Sequence, residues 1–140
     1  MKLPAAVFLC VSLTVLPPSA AIADEPVDTV QSVIQQQIAA FLNDDAAAAY
    51  SFASPTIRGK FPSESQFFDM VKRGYAPVYR PGNFAFGRAK VSGDTVVQEV
   101  LISGSDGKDW TAFYQVVKQP DGSYKINGVH MVKAAPGSAI

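Results

Sequence analysis

The sequence has almost no cysteine, a single histidine and no excess of charge of either sign. Its one cysteine, Cys10, lies in an apolar N-terminal run, so the rest of the chain offers no disulfide, cysteine nucleophile or cysteine metal site. Twelve Lys and Arg residues balance twelve Asp and Glu residues without forming a basic stripe, which argues against nucleic acid as a partner. With His130 as the only histidine and no carboxylates at ligand spacing, we expect neither a metal site nor a cofactor.

Long apolar runs are also missing beyond the N-terminal segment. Lys2 precedes an apolar run over residues 3–16, which falls short of the ~20 residues that a membrane-spanning helix needs. A proline pair follows, and Ala21-Ile22-Ala23 has the small-x-small pattern of a cleavage site. The sequence therefore predicts a signal peptide over residues 1–23, cleavage after Ala23, and a periplasmic or secreted domain without a membrane span.

The remaining chain divides into a helix-like half and a strand-like half. Between residues 28 and 43, apolar residues recur at helical spacing, which predicts an amphipathic helix of about four turns with a glutamine-rich polar face. Shorter helices are predicted over residues 46–53, after the Ser54-Pro55 pair, and over residues 63–74.

After Gly82 the apolar pattern alternates, as it does in strands. Four strands joined by Gly- and Asp-containing turns are predicted, over residues 83–91, 95–103, 109–119 and 124–132. This order predicts an α+β fold, with short N-terminal helices packed on a curved four-stranded antiparallel sheet. A sheet that curls around the first helix leaves an open mouth, where ligand cavities form. We expect one domain over residues 24–134 and a loose C-terminal tail over residues 135–140.

Four stretches of the chain together resemble a known protein family. They are DDAAAAYSFASP (44–55), MVKRGYAPVYRP (70–81), QEVL (98–101) and QPDGS (119–123). They resemble the uncharacterised bacterial family called domain of unknown function 4864, over roughly residues 30–132. The resemblance implies a nuclear transport factor 2-like, or cystatin-like, fold: helices packed into a curved antiparallel sheet with a cone-shaped cavity. It implies no reaction.

The segment over residues 73–82 is the densest cluster of aromatic, cationic and conformationally restricted residues. Tyrosine combines apolar area with one polar group, and arginine offers a planar fork for carboxylate or phosphate. We predict a cavity-mouth site for a small amphipathic or anionic ligand or a protein partner, formed by Tyr75, Tyr79, Arg80, Gln98 and Tyr114. The alternative is that the two tyrosines of the segment pack under the sheet and that Arg80 pairs with a carboxylate.

Glu99 and His130 carry an enzymatic alternative, of the isomerase or hydrolase kind, in which either acts as an acid or base. The apolar stripe of the second strand favours Gln98 inward and Glu99 outward, although a bulge would reverse the two. His130 shares a face with Ile126 if the fourth strand has no bulge. Because no recognisable catalytic set accompanies them, we assign no catalytic residue and favour a non-enzymatic binding module.

A homodimer is a third alternative. Phe113 and Val117 would share an open face of the sheet, and apolar residues there would need cover.

Overall fold

The computed structural model describes residue 14 and residues 20–134, with side chains described for residues 14 and 25–134. Most of the predicted signal peptide and all of the predicted tail lie outside this part of the chain. Within it, five helices are followed by four strands: α1 (Ala20–Leu42), α2 (Ala46–Ser51), α3 (Pro55–Lys60), α4 (Glu64–Gly74), α5 (Ala76–Tyr79), β1 (Pro81–Ser92), β2 (Thr95–Gly104), β3 (Asp109–Lys118) and β4 (Tyr124–Lys133).

Helix α1 supplies the apolar face on which the domain is built. Its fully buried residues recur at helical spacing and are Val30, Ile34, Ile38 and Phe41. The helix begins at Ala20, eight residues before the predicted start, and has Pro26 inside it. The alanine-rich residues before the proline favour helix, although an interior proline removes one backbone hydrogen bond and its ring crowds the carbonyl four residues earlier.

The next three helices begin at the polar residues that the sequence offers as caps. Asp45 Oδ1 accepts the Ala48 N–H at 3.1 Å, Ser54 Oγ accepts the Ile57 N–H at 3.2 Å, and Ser63 Oγ accepts the Gln66 N–H at 3.1 Å. Each bond satisfies one donor that a helix start leaves free. Helix α5 was not predicted; it is a single turn with a proline at its start, inside the segment over residues 73–82.

The sheet is an antiparallel meander in the order β1-β2-β3-β4, as predicted, and every strand end lies within two residues of the predicted one. Its concave face contributes Val96, Val100 and Ile102 of β2 to the core, and Ala112 and Val116 of β3. Helix α1 packs across this face. The predicted α+β architecture is therefore confirmed. Phe113 and Val117 lie half-buried on the other, outer face, where the homodimer stays a prediction.

Both edge strands contain a bulge, and these two bulges position the site. The β1 bulge, Gly87 and Arg88, lies between the register pairs Phe86–Val100 and Ala89–Gln98. The β4 bulge is at Asn127 and Gly128: Ile126 pairs with Val116 and Gly128 with Gln115, so Asn127 is the extra residue. One extra residue reverses the faces of all residues beyond it.

The β4 bulge decides where His130 lies. Beyond the bulge, Val129 and Met131 pack against the core, whereas His130 is exposed on the outer face opposite Phe113. Because the fourth strand contains a bulge, His130 does not share the face of Ile126.

No helix in residues 20–134 combines the length and the apolar character that crossing a bilayer requires.

Candidate functional site

The five predicted site residues occupy three separate places rather than one. Tyr79 and Arg80 lie at the end of α1, Gln98 and Tyr114 lie inside the core, and Tyr75 alone lines a cavity.

Tyr79 and Arg80 are bound to the loop between α1 and α2. Arg80 Nη2 donates to Asp44 Oδ1 at 2.7 Å, the Tyr79 hydroxyl donates to the same oxygen, and Arg80 Nη1 donates to the Phe41 carbonyl. Asp44 has φ +53°, a left-handed conformation that Asp tolerates because of its short polar side chain. The alternative expected for Arg80, a pairing with a carboxylate, is the one the structure adopts.

Electrostatics at this contact support the same interpretation. The hydrogen bond from Tyr79, and then the one from Arg80, lower the pKa of the Asp44 carboxyl below its ordinary value. The bond to Asp44 raises the pKa of the Tyr79 hydroxyl, because ionisation would remove the donated proton. We therefore assign this pair to holding the α1–α2 loop against α5, not to a free ligand site.

Gln98 is fully buried and serves the β1 bulge. Its Nε2 donates to the Gly87 carbonyl at 3.2 Å and the Arg88 carbonyl at 3.3 Å, while its Oε1 accepts from Gln31 of α1 at 3.2 Å. A buried amide whose donors and acceptor are engaged in this way has little left to offer a ligand. Gln98 therefore faces inward, as the apolar stripe favoured. Its side chain joins α1, β2 and β1 by hydrogen bonds rather than lining a ligand site.

Glu99 serves the same bulge from the opposite face. Its Oε2 accepts the Arg88 N–H at 3.2 Å and lies 3.5 Å from Arg88 Nε. Glu99 and His130 both lie outside the concave face of the sheet, so neither has the position that the enzymatic alternative requires. Among the described residues, no three His, Cys, Asp or Glu side chains cluster closely enough to hold a metal ion.

Tyr114 lies in the core at register with Gln98 and Val129. Its side chain is fully buried, and burial raises the pKa of its hydroxyl. The hydroxyl has no hydrogen-bond partner among the described residues. Tyr114 does not line the cavity, so we do not assign it to the ligand site.

The cavity opens between the helices and the β4 bulge and has a volume of about 370 Å³. Most of the side chains around it are apolar, and four are aromatic: Phe41, Phe61, Phe67 and Tyr75. They come from the end of α1 and from the α3–α5 region, because three short helices in succession present their apolar faces inward here. The result is an apolar recess at the side of Tyr75, and Arg80 does not belong to its lining.

Three polar side chains complete the lining. Gln37 is buried and donates from Nε2 to the Ala49 carbonyl at 3.2 Å. Asn127 accepts from Ser54 Oγ at 2.8 Å, and Lys60 lies exposed at the rim. No Asp or Glu side chain belongs to the lining.

Sequence reasoning missed most of this cavity, although two signals were present. Gln37 lies three residues after Ile34 and four before Phe41, on the buried side of α1 rather than in its polar face. Gly128 stands alone inside a strand pattern after an asparagine, which is typical of a bulge or a close backbone approach. The positions of Phe61 and Met70 around the recess depend on how α3 and α4 pack, for which the sequence carries no local signal.

Comparisons with known proteins agree with the fold. A family model described as domain of unknown function (DUF4864) matches residues 23–139. No curated protein matches the chain. A crystal structure of an NTF2-like protein of unknown function from Shewanella baltica OS155 is similar, with a TM-score of 0.52 and 14% identity. The match covers 85% of this chain and 100% of that one. At this identity the likeness shows the fold alone, and it confirms the predicted NTF2-like architecture.

Proposed function

The chain belongs to the family of domains of unknown function DUF4864 and has an NTF2-like fold, and from that premise we propose that it is an exported, non-enzymatic binding module. Its ligand site is the cavity beside Tyr75, which takes the apolar part of an amphipathic or anionic ligand. The mouth lies at Tyr75 rather than at Arg80, because Arg80 is engaged by Asp44.

The cavity itself is the observation that carries the proposal. Its volume of about 370 Å³ falls in the range of small-molecule sites, which is roughly 300–1,000 Å³. An aromatic and aliphatic lining favours apolar groups, and Lys60 at the rim favours a negative charge on the same ligand.

Titration with the fluorescent probe 8-anilinonaphthalene-1-sulfonate, an aromatic anion, tests this proposal. We expect saturable binding at one site per chain. Met70→Trp should weaken it at least tenfold, because the larger side chain occupies the recess. Leu42→Trp is the matched control, since Leu42 is 48% exposed and lies outside the lining. Lys60→Gln should weaken binding roughly threefold.

Equal affinity in the wild type and Met70→Trp would overturn the proposal, and so would an equal loss in Leu42→Trp. Because this dye also binds loosely packed states, the urea midpoint of each variant should be measured in parallel.

Export rests on the N-terminal pattern and is tested separately. Cleavage after Ala23 would remove the first four residues of α1, Ala20 to Ala23, and would retain the whole buried face that begins at Val30. N-terminal sequencing of protein recovered from the cell envelope or the medium should therefore start at Asp24. A start at Met1 would contradict export by cleavage.

A further inference from the structure

Strand β4 is an edge strand, and the chain already pairs with its free side once. The Ile126 N–H donates to the Phe52 carbonyl at 2.8 Å, and the Ile126 carbonyl accepts the Ser54 N–H at 2.9 Å. These two bonds form a parallel bridge between Ala53 and Ile126. The backbone of Ile126 therefore points away from β3, toward the free side.

Beyond the β4 bulge, the same free side carries backbone groups that the described chain does not use. The Ala134 N–H donates to the Asp109 carbonyl at 2.9 Å, which makes this a bonded pair. Bonded and non-bonded pairs alternate along an antiparallel ladder. Counting back from residue 134 along the pairing of β4 with β3, Met131 and Val129 belong to non-bonded pairs. Their N–H and C=O groups therefore point to the free side. No backbone hydrogen bond within the described residues reaches them from there.

The cavity lies beside this unused stretch. Val129 and Gly128 belong to its lining together with Phe61 and Tyr75. An added strand places its side chains on the same two faces as the strand it joins. A residue paired beside Val129 would therefore direct its side chain to the concave side, into the apolar recess.

The two edges of the sheet differ in how many residues discourage the addition of another strand. The β1 edge carries Pro81, Arg88 and Lys90, residues that discourage the addition of another strand. On β4, residues 129–132 are Val, His, Met and Val, and the first lysine beyond the bulge is Lys133. Residues 129–132 of β4, beside the cavity, thus include no proline, arginine or lysine.

We propose that the ligand of the cavity is an extended peptide segment that pairs with the free side of β4 at Val129 and Met131. The inference rests on the proposed function and specifies its partner. A peptide satisfies the outward N–H and C=O groups and fills the recess with one apolar side chain, whereas a small aromatic molecule fills the recess only. Lys60 at the rim, with no carboxylate in the lining, selects neutral or acidic segments over basic ones.

The test uses the whole exported chain and a pool of capped seven-residue peptides with a central phenylalanine and flanking threonine, valine, serine and aspartate. The control pool has the same sequences with alternate backbone amides N-methylated, so that those amides cannot donate. We expect the unmodified pool to bind at least tenfold more tightly. At saturation, amide hydrogen exchange at Val129 and Met131 should slow at least tenfold.

Equal binding of the two pools, unchanged exchange at both amides, or no binding of either pool at millimolar concentration would overturn the inference. The dye titration described above separates the two proposals. If the dye binds and the peptides do not, only the peptide inference is wrong; if neither binds, both proposals are wrong.

Two variants provide an independent check. Met131→Pro removes an N–H that points to the free side, leaves the ladder to β3 intact and lies outside the cavity lining, so it should weaken the peptides at least tenfold and the dye less than threefold. His130→Ala, on the outer face, should change neither. Unaltered peptide affinity in Met131→Pro would contradict the proposal, and if that variant does not fold, the N-methylated pool decides.

Discussion

The bulges of the two edge strands differ in their hydrogen bonding and in what lies beside them. At the β1 bulge, Gln98 donates to the backbone from the concave face and Glu99 accepts from it on the outer face. At the β4 bulge, Asn127 binds Ser54 and Gln115, and the strand beyond it borders a cavity of about 370 Å³. Side-chain hydrogen bonds satisfy the backbone of the first bulge, which we call the closed bulge. The second, which we call the open bulge, lies beside the cavity and beside a sheet edge that has no backbone partner among the described residues.

The difference shows why side-chain type was a poor guide to the position of the cavity. Gln98 and Glu99 are polar residues of the kind that often bind ligands or act in catalysis. In this structure both side chains form hydrogen bonds with backbone groups that the β1 bulge would otherwise leave unpaired. The recess instead forms where residues of ordinary apolar character come from several helices. Three predictions test this contrast between the two bulges and a fourth tests the contact of Asp44, in order of decreasing effect.

Gln98→Leu should open the closed bulge and lower the free energy of unfolding by about 2 kcal/mol. The substitution removes the amide that donates to the Gly87, Arg88 and Glu99 carbonyls, and a protein hydrogen bond contributes ~0.5–1.5 kcal/mol. Urea unfolding measures the loss. Gln31→Leu is the matched control, because it removes only the link to α1. If both variants lose the same stability, the bulge is not what Gln98 supports.

Asn127→Ala should cost less, about 1 kcal/mol, since it removes neutral hydrogen bonds at a partly accessible position. It should also loosen α3, whose cap Ser54 is held by Asn127. Gln115→Ala breaks only the exposed bond of the pair and serves as the comparison. Equal urea midpoints for Asn127→Ala and Gln115→Ala would refute a specific role for the Ser54 contact.

Gly87→Ala should lower stability by roughly 0.5–1 kcal/mol through crowding. An added Cβ would lie 3.0 Å from Glu99 Oε2 and 3.2 Å from Glu99 Cβ, closer than ordinary contacts. Adding Glu99→Ala to this variant should recover part of the loss. Gly59→Ala, in α3 with no atom within 4 Å of the new methyl group, should instead stabilise by ~0.5–1 kcal/mol. Destabilisation by both alanines to the same extent would argue against crowding.

The smallest effect concerns the exposed contact of Asp44 with Tyr79 and Arg80. Because the folded-state pKa of Asp44 is lowered, its contribution is present above the unfolded value of 3.8 and is lost as pH falls through the folded value. Asp44→Asn should therefore be less stable than the wild type at pH 7, and the difference should be smaller at pH 3. Thermal unfolding at the two pH values measures this, and a difference that stays constant would show that the carboxylate charge contributes nothing.

Much of the architecture could be predicted from local patterns. Alternating residues and Gly-containing turns located all four strands, and Asp45, Ser54 and Ser63 located three helix starts. The single turn of α5 was missed, because a four-residue helix has too few residues for a periodic signal. The start of α1 was placed at an Asp that looked like a cap, whereas the alanine-rich residues before it continue the helix.

The candidate site was predictable only in part. Of its five residues, Tyr75 lines the cavity, while Tyr79 and Arg80 are bound to Asp44, 35 and 36 positions away in the chain. Whether an arginine finds a carboxylate depends on which loops meet in space. That meeting is invisible in a sequence pattern, which carries only near-neighbour information.

Local sequence patterns establish the class of fold and the order of its elements, because periodicity, caps and turn residues act over a few neighbouring positions. Tertiary structure decided which side chains remain available to a partner. The β4 bulge moves His130 to the outer face and Val129 to the cavity by a single extra residue, and the β1 bulge engages Gln98 and Glu99. Side-chain direction in a sheet has a period of two, so one inserted residue, detectable only through its pairing with the next strand, reverses every assignment after it.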